Sequence, residues 1–474
     1  MSQVQGLGIP TYLLHHPFNH LTTTPSSTWR PPSLFRYNHR ITTQIARRRW
    51  HSVQVGPQWP QAVIPVLELT SDNIYLGVGG KLVIHPLVPR RIEGTKAVER
   101  ERIWNVTKKA DGSRGDIVGI APLGDGQVIV AQFDGTVQRF DLRNGGGGMP
   151  ISTAHYHSGS GLSLKRGEKG KKAAIHTLAY DGDMFMTTTS LPDSTAHIYT
   201  ARSPWIPPVS MSLPTHEPRA WSSLISTSSK YLPPTVMLGL SSSISIYDLP
   251  TSSSSPNPSP SRRLTGPDLP ARSSAYDIHL PPSQSTHHPS TLLSAWYDSH
   301  LRLHDLRSPS PSPISEFSDP WTWADGSAMY SSTWFGEYGI AGGGARHGTV
   351  CLFDIRYPKK GWSVFSPGGK GSPVYSLKGE GGRVWGVTEK RAFVLAFDGS
   401  GEVEEGILTN ELMNGVRRDR AVKTRESRRE TPGNWKGRGG RKVVATRHEE
   451  DDGSGRGYEH SQRGVELFDG LPLP

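Results

Sequence analysis

The 474-residue sequence has a single cysteine, Cys351, and no long apolar run. One cysteine excludes a disulfide framework and favours a reducing compartment, the cytoplasm or nucleus. Cys351 falls within a strand-like segment, so we expect it to be a small buried residue rather than a nucleophile. No apolar run approaches the ~18 residues that a membrane-spanning helix needs, and we therefore expect no membrane segment.

The sequence also lacks the motifs of the common catalytic and cofactor sites. It contains no Gly-x-Ser-x-Gly elbow, no phosphate-binding Walker loop and no His-Glu-x-x-His pair. The histidine pairs at 15–16, 155/157 and 287–288 have no nearby carboxylate or cysteine that would complete a metal site. The sequence therefore predicts a non-enzymatic protein with no cofactor and no metal.

Acidic residues are missing from the amino-terminal segment, and this explains much of the net charge of +11. Residues 1–60 contain six arginines and no acid, and residues 411–448 contain twelve Lys/Arg against four Asp/Glu. The basic charge therefore belongs to the ends, and we expect nucleic-acid contact only as a weak property of the carboxy-terminal one. By composition, residues 1–33 and 411–474 are predicted to lack fixed structure. The first segment also has the Arg- and Ser-rich, acid-poor composition of a mitochondrial presequence.

The chain does contain a repeated strand phrase. Residues 136–143, 299–307 and 348–356 alternate outward and inward side chains and end on Asp-Leu-Arg, Asp-Leu-Arg and Asp-Ile-Arg. Alternation with a period of two is typical of a half-buried strand, and its recurrence every few tens of residues indicates a repeat architecture. With weaker copies the phrase occurs seven times. The inward residues before the closing turns are Ile84, Phe140, Tyr199, Tyr247, His304, Phe353 and Phe397.

Each unit has further strands before its closing phrase. In the second unit, residues 115–120 and 127–131 precede the turn Asp134-Gly135, which predicts a tight hairpin with positive φ at both central residues. Since no stretch between residues 61 and 400 shows a capped helical pattern, the fold class is all-β. We predict a closed seven-bladed β-propeller over residues 61–400, in which a strand near Ile64–Leu69 completes the last blade, Ser372–Asp398.

The phrase at residues 134–143 resembles the closing half of a WD repeat, with Phe140 where that family usually has Trp. His304 and Phe353 stand at the equivalent position of the other good copies, and the Gly-His pair that usually opens a WD repeat is absent. The resemblance implies a WD-repeat-like propeller at residues 61–400, between a basic segment at 1–60 and a charged tail at 401–474.

Longer phrases are similar to fungal F-box/WD-repeat proteins of the dactylin-like type. Residues 346–356, 361–368 and 372–377 resemble the last two blades of those proteins, and residues 46–53 followed by Trp59 resemble the chain that leaves an F-box. The first half of an F-box is missing, so residues 36–59 would be a remnant of one. The resemblance implies the substrate-recognition subunit of a Skp-cullin ubiquitin ligase: the propeller binds a protein substrate, and an F-box docks a Skp-type adaptor and cullin.

Two alternatives remain open on sequence alone. Arg143, Arg307 and Arg356 resemble the arginines by which WD-repeat receptors of the other cullin system dock their adaptor, although ion pairs with neighbouring acids of the same blade are the simpler explanation. A scaffold in RNA or ribosome assembly would instead rely on the basic tail. In either case we expect the protein partner to bind a propeller face through loops. The candidate residues are Trp296, Arg346, His347, Trp362 and Trp385. For the three tryptophans, the competing interpretation is that they are buried and anchor a blade.

Overall fold

The fold comes from a computed structural model, which describes residues 31–397 apart from short gaps, of which the longest spans residues 157–173. After residue 397 it describes only residues 435–436, 442–443, 446–449 and 456–461. The first element is helix α1 (Pro31–Ala46), and it is followed by strand β1 (His51–Val55).

The strands up to residue 397 build seven antiparallel blades, of which the first six are formed by strands consecutive in sequence and the seventh also includes β1. Blade 1 contains β2 (Val66–Leu69), β3 (Asn73–Val78), β4 (Lys81–Pro89), β5 (Lys96–Val98) and β6 (Arg102–Asn105). Blade 2 contains β7 (Ile117–Gly124), β8 (Gln127–Gln132), β9 (Val137–Asp141) and β10 (Ile151–Tyr156). Blade 3 contains β11 (Ile175–Asp181), β12 (Met184–Thr189), β13 (Thr195–Thr200) and β14 (Val209–Ser212). Blade 4 contains β15 (Ser222–Ser226), β16 (Thr235–Gly239), β17 (Ile244–Asp248) and β18 (Arg262–Leu264).

The other three blades follow the same order. Blade 5 contains β19 (Ala275–His279), β20 (Thr291–Trp296), β21 (Leu301–Asp305) and β22 (Ser315–Phe317). Blade 6 follows the short helix α2 (Pro320–Ala324) and contains β23 (Met329–Phe335), β24 (Gly339–Gly344), β25 (Thr349–Asp354) and β26 (Lys360–Phe365). Blade 7 contains β27 (Val374–Glu380), β28 (Arg383–Thr388), β29 (Ala392–Ala396) and β1. The first strands of neighbouring blades contact one another all round, and β2 meets β27, so the ring is closed. The predicted all-β, seven-bladed propeller is confirmed.

The strand that closes the ring is not the predicted one. β1 pairs with β29 from His51↔Ala396 to Val55↔Ala392, whereas Val66–Leu69 is the innermost strand of blade 1. The prediction assigned ring closure to the strand that follows β1. Both β1 and Val66–Leu69 alternate in sequence, and only the three-dimensional arrangement shows which of them lies beside the free edge of β29.

The seven closing phrases all form the third strand of a blade, as predicted, but their hairpins differ from the expected type. In the turns at Asp134-Gly135 and Asp298-Ser299 only Gly135 and Ser299 have positive φ. The Gly135 N–H donates to the Gln132 carbonyl at 3.1 Å, and the Gln132 N–H donates to the Thr136 carbonyl at 2.8 Å. These bonds describe a type I turn followed by a left-handed residue, which explains why one positive φ suffices.

One helix and four strands of the tail were not expected. Helix α2 lies between blades 5 and 6 and begins at Asp319, whose side chain accepts a hydrogen bond from the Trp321 N–H. In the tail, strands β32 (Thr446–Glu449) and β33 (Arg456–Ser461) extend blade 6 beyond β26, and β30 (Trp435–Lys436) pairs with β31 (Lys442–Val443). Residues 31–33, at the end of the first segment predicted to lack fixed structure, begin helix α1; the rest of residues 1–33, and residues 411–474 apart from these four strands, lie outside the described ranges.

The core lies between adjacent blades. One cluster joins Tyr75 and Leu82 of blade 1 to Val128 and Val130 of blade 2, and the cluster between blades 3 and 4 is built in the same way. Contact between blades is close enough to require glycine at Gly379, where a Cβ would lie only 1.8 Å from the Trp334 carbonyl oxygen. Cys351 is buried in the core of blade 6, as the sequence indicated.

Candidate interaction site

The strand directions assign every turn to one of two faces. The first strand of each blade starts on the face that also carries the turns between second and third strands; we call this the entrance face. The turns between first and second strands, and those between third and fourth strands, lie on the other side, the opposite face. The position of a residue along its strand therefore fixes the face to which it belongs.

A β-bulge occurs at the start of five first strands. The pairing register shifts between Ile117 and Gly119, and similar shifts follow Ile175, Ala275, Met329 and Val374. A bulge leaves one residue unpaired and redirects side chains. The five extra residues, all at the entrance face, are Val118, His176, Tyr276, Tyr330 and Tyr375.

The aromatic residues among these five join neighbouring rings into two runs, which Arg219 bridges into one band that we call the aromatic arc. Its members are Phe133, His176, Trp221, Tyr276, Tyr297, Tyr330 and Tyr375. Ring centroids are 4.9 Å apart for Trp221 and Tyr276, 5.0 Å for Tyr276 and Tyr330, and 5.9 Å for Tyr330 and Tyr375. The arc runs from blade 2 to blade 7 around the entrance of the central channel.

The arc is accessible to a partner. The turn residues Phe133 and Tyr297 are 42% and 52% exposed, and the bulge residues are half-buried. Neighbouring side chains already restrict the half-buried rings, so binding a partner would cost little additional side-chain entropy. Tyr and Trp are also the residues most enriched in the central contacts of protein interfaces.

Arg219 connects the two halves of the arc. Its guanidinium lies 3.8 Å from the Trp221 ring centroid, and its Nη1 lies 2.9 Å from Nδ1 of His176. Burial, with the charge of Arg219 second, lowers the pKa of His176 to about 4. The imidazole is therefore neutral near pH 7 and accepts the hydrogen bond from Arg219. Burial similarly raises the pKa of Tyr276 to about 12, so that its phenol stays a neutral donor.

Charged groups further along the first strands are paired. Lys378 Nζ lies 3.0 Å from Glu68 Oε2, and Asp277 Oδ2 lies 2.9 Å from His279 Nε2 and accepts a hydrogen bond from the Ser332 N–H at 2.8 Å. Burial is the largest single effect and opposes the charge on Asp277, but His279, the Ser332 N–H and the charge of Lys378 together outweigh it, and the pKa of Asp277 lies below its usual value. These groups link first strands of different blades, which is a structural role.

Two of the predicted partner-binding residues, Arg346 and His347, lie on the entrance face in the turn between β24 and β25. His347 Nε2 is 2.7 Å from Asp325 Oδ2, and Arg346 Nη1 donates to the Asp325 carbonyl at 3.0 Å. The Trp321 ring packs 4.7 Å from the His347 ring. Helix α2 and its following Asp325 thus hold both side chains in fixed positions beside blade 6.

The three predicted tryptophans are core residues. Trp296 is fully buried and donates from Nε1 to Ser294 Oγ, Trp385 donates to Glu380 Oε2, and Trp362 packs 4.9 Å from Trp50. A partner could reach none of them without opening a blade. Their positions fit the competing interpretation, that they anchor blades.

The Asp-x-Arg arginines lie on the opposite face, each after the third strand of its blade. Arg143, Arg307 and Arg356 each form a two-point ion pair with the aspartate two residues earlier. This is the ion pairing that the sequence left open. The guanidinium groups nevertheless remain half-exposed, and the Arg356 guanidinium lies 4.0 Å from the Tyr338 ring centroid.

The apolar residues of the amino-terminal segment face the propeller. Ile41 is fully buried, and Trp50 lies in the core between blades 6 and 7. Ile45 packs against Gly336, in a turn of the opposite face, where an added Cβ would lie 3.1 Å from Ile45 Cδ1. The indole Nε1–H of Trp59 donates to the Glu389 carbonyl at 2.6 Å, and its backbone N–H donates to the Lys390 carbonyl. The residues predicted as an F-box remnant are therefore used in packing in this structure.

No protein-family model matches the sequence, and no curated protein matches it either. In the part of the chain that the structure describes, no helix is long and apolar enough to cross a membrane. Among the same residues, no three His, Cys, Asp or Glu side chains lie together in a way that would hold a metal ion.

The aromatic arc was missed by the sequence reasoning, although a signal for it exists. Three first strands begin with an apolar residue followed by tyrosine, at 275–276, 329–330 and 374–375. Aligning the first strands of the seven units, rather than the third strands, brings these tyrosines into one column.

Proposed function

We propose that the propeller is a receptor that captures a protein partner on its entrance face through the aromatic arc. The observation that carries this proposal is the continuity of the arc over six blades, with one arginine inserted between its rings. A propeller fold suits a protein-interaction module, and loops on a rigid scaffold are the usual place for binding.

The test compares proteins captured from cells by the full chain and by a variant of the arc. The variant carries Phe133→Ser and Tyr297→Ser, whose side chains are exposed and contribute little to the core. The matched control is Trp205→Ser, because Trp205 is 77% exposed on the opposite face, after the third strand of blade 3. Partners lost with the first variant and retained with the control support the proposal. An identical set of partners from all three proteins contradicts it.

We further propose that the captured partner is a substrate of a cullin-type ubiquitin ligase, for which this chain is the recognition subunit. The support is the resemblance of residues 346–377 to the last blades of F-box/WD-repeat proteins. In the F-box route, a complete F-box in a longer form of the protein docks a Skp-type adaptor, since Ile41 and Trp50 are already occupied by the propeller.

The geometry supports the Asp-x-Arg route better. Arg307 and Arg356 lie on adjacent blades 5 and 6, and they are 57% and 51% exposed. Each is held in one orientation by its own aspartate, so docking would cost little side-chain entropy. An adaptor bound there leaves the entrance face free for a substrate.

The two routes are separated by adaptor and cullin capture. Arg307→Ala combined with Arg356→Ala should abolish capture if the Asp-x-Arg route operates. Arg202→Ala is the matched control, because Arg202 is exposed at the same point of blade 3 but has no aspartate two residues before it. If adaptor and cullin are captured equally by both variants, and only when the chain carries an upstream extension, the F-box route is identified. If neither route captures an adaptor, and RNA is recovered only when residues 411–448 are present, the RNA-scaffold hypothesis would replace the ligase hypothesis.

A further inference from the structure

The outer edge of blade 6 is occupied by a distant segment of the chain. β33 runs antiparallel to β26 from Lys360↔Ser461 to Val364↔Gly457, and β32 adds to β33. Strand addition to a sheet edge is a general mode of peptide recognition, in which main-chain hydrogen bonds provide affinity and side-chain pockets provide specificity.

His460 fills a pocket of this kind. It lies opposite Gly361 in the register, and its side chain is almost fully buried. A Cβ on Gly361 would lie 2.4 Å from His460 Cε1, so the pocket exists only because residue 361 is glycine. The imidazole packs edge-on against the Phe353 ring, with centroids 5.4 Å apart.

The floor of the pocket is a buried carboxylate. Asp319 is fully buried, and its Oδ2 lies 4.0 Å from His460 Nε2. The same oxygen accepts a hydrogen bond from Ser363 Oγ at 2.9 Å, and Cys351 Sγ lies 3.8 Å away. An aromatic wall above a carboxylate favours a ring that also has a polar N–H. Imidazole meets both conditions, whereas a phenyl ring would leave the carboxylate facing carbon.

We propose that the outer edge of blade 6 is a strand-binding site specific for an extended peptide that carries a histidine, and that its resident ligand is Arg456–Ser461 of this chain. The site is separate from the entrance face and does not depend on the function proposed above. Because the ligand is tethered, a high effective concentration keeps the edge covered. A free peptide of the same kind would have to compete with it.

Hydrogen exchange on the full chain tests occupancy. His460→Ala should speed exchange of the amides of β33 and of those in β26 that face it, while β24 and β25 stay protected. His216→Ala is the matched control, because His216 is an exposed histidine on a different blade. Unchanged exchange in β26 for His460→Ala would overturn the proposal.

Specificity is tested by adding the ligand in trans. The receptor is the full chain carrying Tyr458→Pro and His460→Ala, since proline removes a ladder donor and prevents the tail from pairing. A labelled synthetic peptide of residues 452–465 should bind it saturably, and the same peptide with alanine at the histidine position should bind about tenfold more weakly. The unmodified chain should bind the peptide less tightly than the double variant. Equal binding of the two peptides, or no binding to the double variant, would refute a histidine-specific site.

Discussion

Trp50 distinguishes a packing role for the amino-terminal segment from an adaptor-docking role. Its side chain is 2% exposed and contacts Trp362, with ring centroids 4.9 Å apart, in a cluster that also contains Phe397. A buried tryptophan removes roughly 150–250 Å² from water, worth about 4–6 kcal/mol at ~25 cal/mol per Å². Measured truncations of large aromatic side chains to alanine cost about 3–5 kcal/mol.

One feature lowers the expected cost. The indole N–H of Trp50 has no hydrogen-bond partner among the described residues. Removing such a buried donor recovers about 1 kcal/mol or more. We therefore expect Trp50→Ala to lower the free energy of unfolding by about 3 kcal/mol and the Tm by roughly 6 °C, at ~2 °C per kcal/mol for a domain of this size. Trp50→Phe keeps an aromatic ring without the N–H and should cost much less.

The assay is thermal unfolding of the full chain, with Trp205→Ala as the control for loss of an exposed indole. Trp362→Ala should give a similar loss, and the double variant should lose less than the sum of the two, because the side chains are in contact. The reasoning is refuted if Trp50→Ala leaves the Tm unchanged while adaptor capture is lost. In that case Trp50 would contact the adaptor rather than Trp362.

Three further predictions concern stability. Arg302 is buried and paired with Asp298 at 2.7 Å and with Glu316, so Arg302→Met should cost about 3–5 kcal/mol in denaturant titrations by leaving the buried Asp298 carboxylate with the more distant His300, 3.7 Å away, and no guanidinium; a loss no larger than that of an exposed arginine contradicts this. Burial lowers the pKa of His304 to about 4; the unfolded chain then binds more protons between pH 6.5 and 4, and stability is lost as the pH falls through this range. His304→Phe should reduce that loss by about 1.4 kcal/mol per pH unit, and an unchanged pH slope of the unfolding free energy would be inconsistent with a neutral buried imidazole. Gly379→Ala should lower the Tm, because its Cβ would collide with the Trp334 carbonyl of the neighbouring blade; an unchanged Tm would mean that the two blades can separate freely.

The repeat was predictable because its strongest signal is local. The third strands at residues 137–141, 301–305 and 349–354 alternate and lead into an Asp-Leu-Arg or Asp-Ile-Arg tripeptide, and together with the four weaker copies they indicate the number of blades. Closure was not predictable in the same way. His51–Val55 and Val66–Leu69 are both short alternating strands, and pairing with β29 depends on which edge remains free after all the other blades have formed.

The interaction site was less accessible to sequence reasoning, because bulges create it. A strict alternation would assign Tyr276 and Tyr330 to one side of the first strand, whereas the register shift redirects them to the channel entrance. Tryptophan is enriched in protein interfaces, and Trp296 and Trp385 were predicted to bind a partner, yet both are buried within blades. Helix α2 was also missed, since its five residues are too few for helical periodicity; the Asp319-Pro320 start was its only signal.

Closure by β1 has a consequence for synthesis of the protein. His51 leaves the ribosome among the first described residues, but its partner Ala396 follows more than three hundred residues later. At ~5–20 residues per second this interval lasts about 20–70 s, and joining ends so far apart costs about 5 kcal/mol of chain entropy. Until β29 has been made, β1 has no edge with which to pair. A circularly permuted gene that begins at Val66 and carries residues 31–62 after Phe397 would make the strands of blade 7 contiguous in sequence. β1 could then pair with β29 as soon as both had been made.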